Sequence, residues 1–200
     1  MVGKGDLRAD HKAGPPVIEA SRGDRGFLEE VVRRSGVQVR RCFQCRTCSG
    51  GCPFVQAMDY PPNVLLRLLL YGRRRQVLSC GTIWLCVSCN TCSSQCPMAL
   101  DLSAVMETLR IMALKARAPI GRPNILEFHE EVARSLERYG RTHKLGIMLR
   151  YKLLTGSWFS DLDVGLKMFA KRKLELFPSR IKQVHEVARV FEGQLRRKKK

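Results

Sequence analysis

Two cysteine runs constrain this chain more than any other feature. The first reads Cys42-Phe43-Gln44-Cys45-Arg46-Thr47-Cys48-Ser49-Gly50-Gly51-Cys52-Pro53. The second reads Cys86-Val87-Ser88-Cys89-Asn90-Thr91-Cys92-Ser93-Ser94-Gln95-Cys96-Pro97. Both follow C-x2-C-x2-C-x3-C-P, and they repeat cysteine for cysteine at an interval of 44 residues (42 to 86, 45 to 89, 48 to 92, 52 to 96). Of the nine cysteines in 200 residues, Cys80 alone falls outside the runs.

This spacing selects a chemistry. Thiolates at i, i+3 and i+6 can wrap one face of a cubane iron–sulfur cluster, each reaching a different iron. The fourth cysteine lies beyond a three-residue gap and directly before a proline, where the chain has turned away. In two-cluster proteins with this run, that fourth cysteine ligates the other cluster. We therefore assign Cys42, Cys45, Cys48 and Cys96 to one [4Fe–4S] cluster, and Cys86, Cys89, Cys92 and Cys52 to a second. The arrangement in which each run holds its own cluster stays open at the level of sequence. Structural zinc sites use two thiolate pairs set well apart; here a third cysteine follows each pair at once. Disulfides are disfavoured, because no secretory signal precedes the runs.

Length and composition set the frame. Two hundred residues, 44% hydrophobic, suit one domain or a small domain with a helical extension. The first twenty residues are polar and rich in Gly, Pro and charge, without the apolar stretch of a signal peptide. The longest apolar run, Val64 to Tyr71, is short and broken by Arg67, so no membrane span is expected. These features suggest the cytoplasm. Net charge is +18, with a pI near 10.1, and the basic excess spans both halves. Each oxidised, ligated cluster would subtract about two charges, leaving the surface strongly basic. Such a surface suits nucleic acid, anionic membrane or an acidic protein partner. The Arg73–Arg75 triplet speaks for nucleic acid, but the charge is diffuse and no reading module is recognisable, so no nucleic-acid partner is expected.

The periodicity predicts helices. Asp24 is expected to cap a helix over Arg25–Ser35 with Phe27, Leu28, Val31 and Val32 on one face, stopped by Gly36. Val37-Gln38-Val39 reads as a brief extended lead into the first run. Between the runs, Pro61-Pro62 opens a helix through Tyr71, ended by Gly72, with Val64, Leu65, Leu68 and Leu69 inward. Ser79 is expected to cap a short helix that delivers Trp84 and Leu85 to Cys86. Asp101 is expected to cap Leu102–Arg117, burying Leu102, Val105, Met106, Leu109 and Met112. Beyond residue 119, Pro123 opens a helix with Ile125, Leu126, His129, Val132, Ala133 and Leu136 inward, stopped at Gly140. Leu145, Met148, Leu149 and Leu153 mark a further helix ending at Gly156. A cap at Ser160-Asp161-Leu162-Asp163 starts another through Met168 and Phe169, and Ser179 caps a last one with Ile181, Val184, Ala188 and Phe191 inward. The fold class is therefore mainly all-α: a flexible tail over 1–22, an α-helical two-cluster domain over 23–118, a helical extension and docking region over 119–195, and a basic tail over 196–200.

Other candidates are weaker. Cys80 reads as a small buried thiol, though its nearness to Cys86 leaves a redox or replacement-ligand role open. His11, His129, His143 and His185 show no metal-binding spacing and read as structural or exposed. Trp84 and Phe43 flank ligands and are expected to shield the clusters from water. Gly50 and Gly51 are expected to let backbone pass close to a cluster. Arg41 and Arg46 either raise a cluster potential or are simply solvated. No phosphate loop, nicotinamide or flavin fingerprint, or nucleophile elbow is present, and no catalytic residue is assigned.

Several stretches together resemble a known family. Arg41-Cys42-Phe43-Gln44-Cys45, Thr47-Cys48-Ser49-Gly50-Gly51-Cys52-Pro53-Phe54, Met58-Asp59-Tyr60-Pro61-Pro62 and Thr82-Ile83-Trp84-Leu85-Cys86 resemble the heterodisulfide reductase C-type iron–sulfur proteins, which belong to the α-helical ferredoxins. Gly140-Arg141-Thr142-His143 and Leu149-Arg150-Tyr151-Lys152-Leu153 add a weaker likeness. Cys80 and Arg46 depart from the small or neutral residues expected there. The resemblance implies a non-catalytic electron-transfer subunit of an oxidoreductase complex, with two [4Fe–4S] clusters. It would sit between an A-like protein with flavin and iron–sulfur centres and a B-like protein that performs disulfide chemistry at CCG-motif cysteines. This chain has no CCG motif. An iron–sulfur subunit of another flavin dehydrogenase is the alternative, but the C-x4-C-x2-C run of plant-type ferredoxins is absent.

Overall fold

The computed structural model describes residues 23–155 and 180–189. The 1–22 tail with His11, the side chain of Leu153, the Gly156 stop, the Ser160–Asp163 cap with its helix, the Ser179 cap, Phe191 and the 196–200 tail lie outside the described residues. Among those described, every regular element is a helix. The chain divides into two compact units, one through Arg122 and one from Pro123.

In the first unit, local rules place the helices. Helix α1 (Arg25–Ser35) begins where Asp24 Oδ1 accepts the Phe27 N–H at 3.1 Å, satisfying an otherwise orphaned donor. It ends where Gly36, at φ 72°, donates to Val32 O. Phe27, Leu28 and Val31 are buried, while Val32 is half-buried. The expected extended lead is corrected: Gln38, at φ −79° and ψ 75°, precedes a 3-10 turn over Val39–Arg41. After the first run, which contains the one-turn helix α2 (Thr47–Gly50), comes α3 (Pro62–Leu70). Proline at its first position lacks only a donor the helix leaves unpaired. Leu65, Leu66, Leu68 and Leu69 are buried, and Val64 is not. Gly72 at φ 66° turns the chain, and a Cβ there would lie 2.4 Å from Asp24 O.

The expected Ser79 cap is a correction. Ser79 ends a helix, α4 (Arg74–Ser79), and its hydroxyl donates back to Arg75 O at 2.8 Å. The Arg73–Arg75 triplet is thus partly built into the fold. Arg74 pairs with Glu30 at 2.9 Å and lies over the Phe27 ring, tying α4 to α1. The guanidinium hydrogen bond holds Glu30 below its ordinary carboxyl range. Trp84 and Leu85 arrive instead on α5 (Thr82–Leu85), which has no side-chain cap. The second run contains α6 (Thr91–Ser94). It leads into α7 (Leu102–Lys115), where Asp101 Oδ1 accepts the Ala104 N–H at 3.1 Å. Leu102, Val105, Met106, Leu109 and Met112 are buried as the stripe predicts. Helix α7 packs on α1, α4, α5 and α6. It is the central pillar of this unit.

The second unit pairs α8 (Pro123–Tyr139) with α9 (Lys144–Thr155). Gly140, at φ 71°, ends α8 as expected. The expected apolar interior is corrected: His129 is exposed, the apolar face is at most half-buried, and the buried residues of α8 are Glu131 and Ser135. Buried charge demands partners. Glu131 has Arg134 and Arg150, the latter at 3.1 Å. Ser135 Oγ donates to Arg141 O and accepts the His143 N–H, and His143 Nδ1 accepts from Gly146, so His143 caps α9. Ile147 is buried, whereas Met148 and Leu149, both expected inward, are about half exposed. Residues 184–189 are helical, with Val184 and Ala188 half-buried and His185 exposed.

Two side chains of the first unit make measurable demands. Thr82 is fully buried; its hydroxyl accepts the Tyr60 N–H at 2.9 Å and donates to Tyr60 O at 2.8 Å. Thr82→Val keeps the shape but strips both bonds from buried backbone, so chemical denaturation should show a loss of about 3 kcal/mol. Cys80 is 5% exposed, and its thiol donates to Val77 O at 3.2 Å. Burial pushes its pKa up to about 11. At pH 8 roughly one thiol in a thousand would be ionised, so mass spectrometry after iodoacetamide treatment should find Cys80 unmodified until denaturant is added.

Candidate iron–sulfur centre

The 44-residue repeat is written in the backbone as well as in the cysteines. Gln44 and Arg46 in the first run, and Ser88 and Asn90 in the second, all hold φ between 53° and 66°. None is glycine, so each left-handed residue costs about 1 kcal/mol or more. Arg46 and Asn90 then occupy the N-cap positions of α2 and α6.

Hydroxyls repeat at the same interval. Thr47 Oγ1 lies 3.3 Å from Cys45 Sγ, and Thr91 Oγ1 lies 3.4 Å from Cys89 Sγ. These hydrogen bonds lower the pKa of the two exposed cysteines, favouring thiolate. Burial pushes Cys48 and Cys92 the other way, and charge on Cys42, Cys92 and Cys45 raises Cys48 further. Cys48 and Cys92 are therefore close enough to sense each other. Gln44 Nε2 donates to Cys42 Sγ at 3.4 Å.

Each run is also hooked to the helix that follows it. Ser49 Oγ donates to Asn63 Oδ1 at 2.6 Å and accepts the Asn63 N–H at 3.1 Å. Ser93 Oγ donates to Asp101 Oδ1 at 3.2 Å and accepts the Leu102 N–H at 3.1 Å. These serines are the same position in the two repeats. Aligning the runs exposes both the Thr and the Ser pairs, although the cysteine spacing by itself draws no notice to them.

The runs cross where α2 packs on α6. Gly51 is tight against Gln95: a Cβ on Gly51 would stand 2.3 Å from Gln95 Oε1. Gly51 thus lies under the Gln95 side chain, and Gly50 faces open space. Cys52 and Cys96 each lie one residue past the crossing. The result is a pocket lined by Cys42, Cys45 and Cys48 from one run and Cys96 from the other. Leu66, Leu100 and Leu102 contribute apolar wall to it. On the second run, charge on Cys86 and Cys89 adds to the burial that raises Cys92.

The aromatics divide. Trp84, two residues before Cys86, is 3% exposed. Phe43 is 72% exposed and lines the pocket, and its repeat partner Val87 is 57% exposed. Arg41 and Arg46 are exposed or nearly so. A residue with no sequence signal also enters: Arg110 of α7, whose guanidinium donates to the carbonyls of Ile83 and Cys86.

Among the described residues no three His, Cys, Asp or Glu side chains converge as ligands of a single ion do. A four-iron cube asks for a different geometry, with each thiolate on its own iron and the sulfurs spread around a pocket. Thiols from two segments around a pocket with a partly apolar wall suit such a cube.

Comparison with known proteins points the same way. A 4Fe–4S dicluster domain family matches residues 38–100. The C-type protein of the H(2):CoB-CoM heterodisulfide,ferredoxin reductase from Methanothermobacter marburgensis is 30% identical over 70 residues, covering 35% of this chain and 38% of that protein. The second C-type iron–sulfur protein of the CoB–CoM heterodisulfide reductase of Methanocaldococcus jannaschii is 28% identical over 132 residues, covering 62% of this chain and 67% of that one. The C-type iron–sulfur protein of the Methanopyrus kandleri reductase is 33% identical over 60 residues, covering 30% of this chain and 29% of that one. The chain thus matches little more than a third of the length of the first of these relatives. It is an iron–sulfur chain carrying a 4Fe–4S dicluster domain, and it is like the C-type iron–sulfur proteins of heterodisulfide reductases.

Proposed function

We propose that this chain is the electron-relay subunit of a heterodisulfide reductase-like complex and holds two [4Fe–4S] clusters. Cys42, Cys45, Cys48 and Cys96 hold one; Cys86, Cys89, Cys92 and Cys52 hold the other. The observation that carries this reading is Cys96 standing in the pocket of the first run. The place of Cys52 follows from the repeat and from its position one residue past the Gly51–Gln95 crossing.

Bound clusters supply reversible one-electron transfer. The chain's own residues do the rest. The leucines around the first pocket exclude water from one side. Cys45 and Cys89 are exposed, so each run has one ligand at the surface where an electron can enter or leave. Phe43 and Val87 project beside them. Neither substrate binding nor proton transfer is required of such a chain.

An A-like and a B-like partner, with disulfide chemistry on the latter, follow from the likeness to heterodisulfide reductase proteins. The net charge of +18 suits docking onto acidic partners. A docking region over 119–195 is part of the same proposal. Phe128, Met148 and Leu149, exposed on α8 and α9, supply apolar surface for it. No described helix is long and apolar enough to cross a membrane. A cytoplasmic location belongs to the proposal as well.

The test is anaerobic loading followed by iron and sulfide analysis and electron paramagnetic resonance. About eight irons and eight sulfides per chain are expected. With the swapped ligand sets, Cys42→Ser and Cys96→Ser should lose or perturb the same signal, and Cys86→Ser and Cys52→Ser the other. Pairing of Cys96→Ser with Cys86→Ser would replace the swap with one cluster per run. Zinc without acid-labile sulfide would end the relay reading.

A further inference from the structure

The two cysteine runs are alike, but the helices that follow them differ in one respect that bears on redox. Helix α3 carries Arg67 as its one ionisable side chain, and Arg67 is exposed. Its contribution to the first pocket is Asn63 and Leu66. Helix α7 instead sends Arg110 back onto its own run. Arg110 is half-buried; its Nε donates to Ile83 O at 2.5 Å, and a terminal nitrogen donates to the carbonyl of Cys86 itself. One planar guanidinium thus spans the three-residue step from α5 into the second run.

We infer that Arg110 is a positioning residue for the Cys86 run and makes its cluster the higher-potential of the two, so that a single electron on the chain resides there. The inference rests on the two-cluster reading above. Its first part is geometric. The fork fixes the backbone of the first ligand of the run, and it joins that ligand to α7, the pillar of the unit. Cys42 enters its own run from a 3-10 turn whose last hydrogen bond, Cys42 N–H to Val39 O, is local.

The second part is electrostatic. Reduction adds one negative charge to a cluster, and a fixed cation nearby stabilises that charge most where solvent is excluded. Arg41 and Arg46 stand beside the first run and act in the opposite sense, but they face solvent, so water and salt screen them. Arg110 is held against backbone and screened less. Lysine at this position would keep the charge but cannot span two carbonyls, because its ammonium is a point donor on a flexible stem.

The experiment is an anaerobic potentiometric titration of the loaded chain, followed by electron paramagnetic resonance. The signals are assigned by their loss in Cys42→Ser and Cys86→Ser. Two reducible signals in the unsubstituted chain test the two-cluster reading; their absence defeats that reading whatever Arg110 does. With both signals present, the half-reduced chain should show chiefly the signal lost in Cys86→Ser. Arg110→Gln should lower that midpoint alone, and Arg110→Lys should lower it less. Raising the salt concentration should leave the Arg110→Gln difference in place while shrinking any difference made by a double Arg41→Gln, Arg46→Gln variant. Equal movement of both midpoints, or no movement with both clusters loaded, overturns the inference. If Arg110→Gln loses the second cluster altogether and Arg110→Lys retains it, positioning is supported. The Arg110→Lys midpoint then decides the electrostatic part, which a value at or above that of the unsubstituted chain overturns.

Discussion

The structure depends on two cysteine runs passing each other at Gly51 and Gln95. Where they pass, Cys96 stands among Cys42, Cys45 and Cys48 in one pocket. The left-handed residues on either side of each second cysteine are strained, each by about 1 kcal/mol or more, and coordination of the thiols is the natural compensation. On the proposed ligand sets, folding of each half is tied to the other through shared ligands, not through apolar packing alone.

Around this crossing the repeat is faithful at short range and broken at long range. The left-handed turns, the Thr47 and Thr91 hydroxyls and the Ser49 and Ser93 hooks occur in both copies. The surroundings do not repeat. The first run is flanked by exposed Phe43 and by Arg41 and Arg46; the second carries Val87 and Asn90 there, with buried Trp84 before it and Arg110 behind it. A symmetric pair of sites has no preferred direction for an electron. Unequal surroundings supply one.

Much of the helical frame was legible from short-range rules. Asp24, Gly36, Gly72, Asp101 and Gly140 act as caps and stops because orphaned helix-end groups need partners within a turn. The α7 stripe was legible because every expected member is buried in a helix that packs on four others of its unit. Ser79 was misplaced because a serine before an apolar stretch reads as an N-cap, whereas here its hydroxyl returns to Arg75 O. In α8 the apolar periodicity named the wrong interior. The face against α9 buries Glu131 and Ser135, whose partners Arg150 and the Arg141 and His143 backbone belong to later segments.

From the sequence alone came the ligand type, the two triplets, the 44-residue period and the iron–sulfur chemistry, because all of these depend on spacing within a few residues. Tertiary structure decided which fourth cysteine enters the first pocket and which distant cation reaches the second run. Cys96 and Arg110 lie 48 and 24 residues from the groups they join, Cys48 and Cys86. Contacts over such separations are set by how α2, α6 and α7 pack, and local spacing carries no record of that packing.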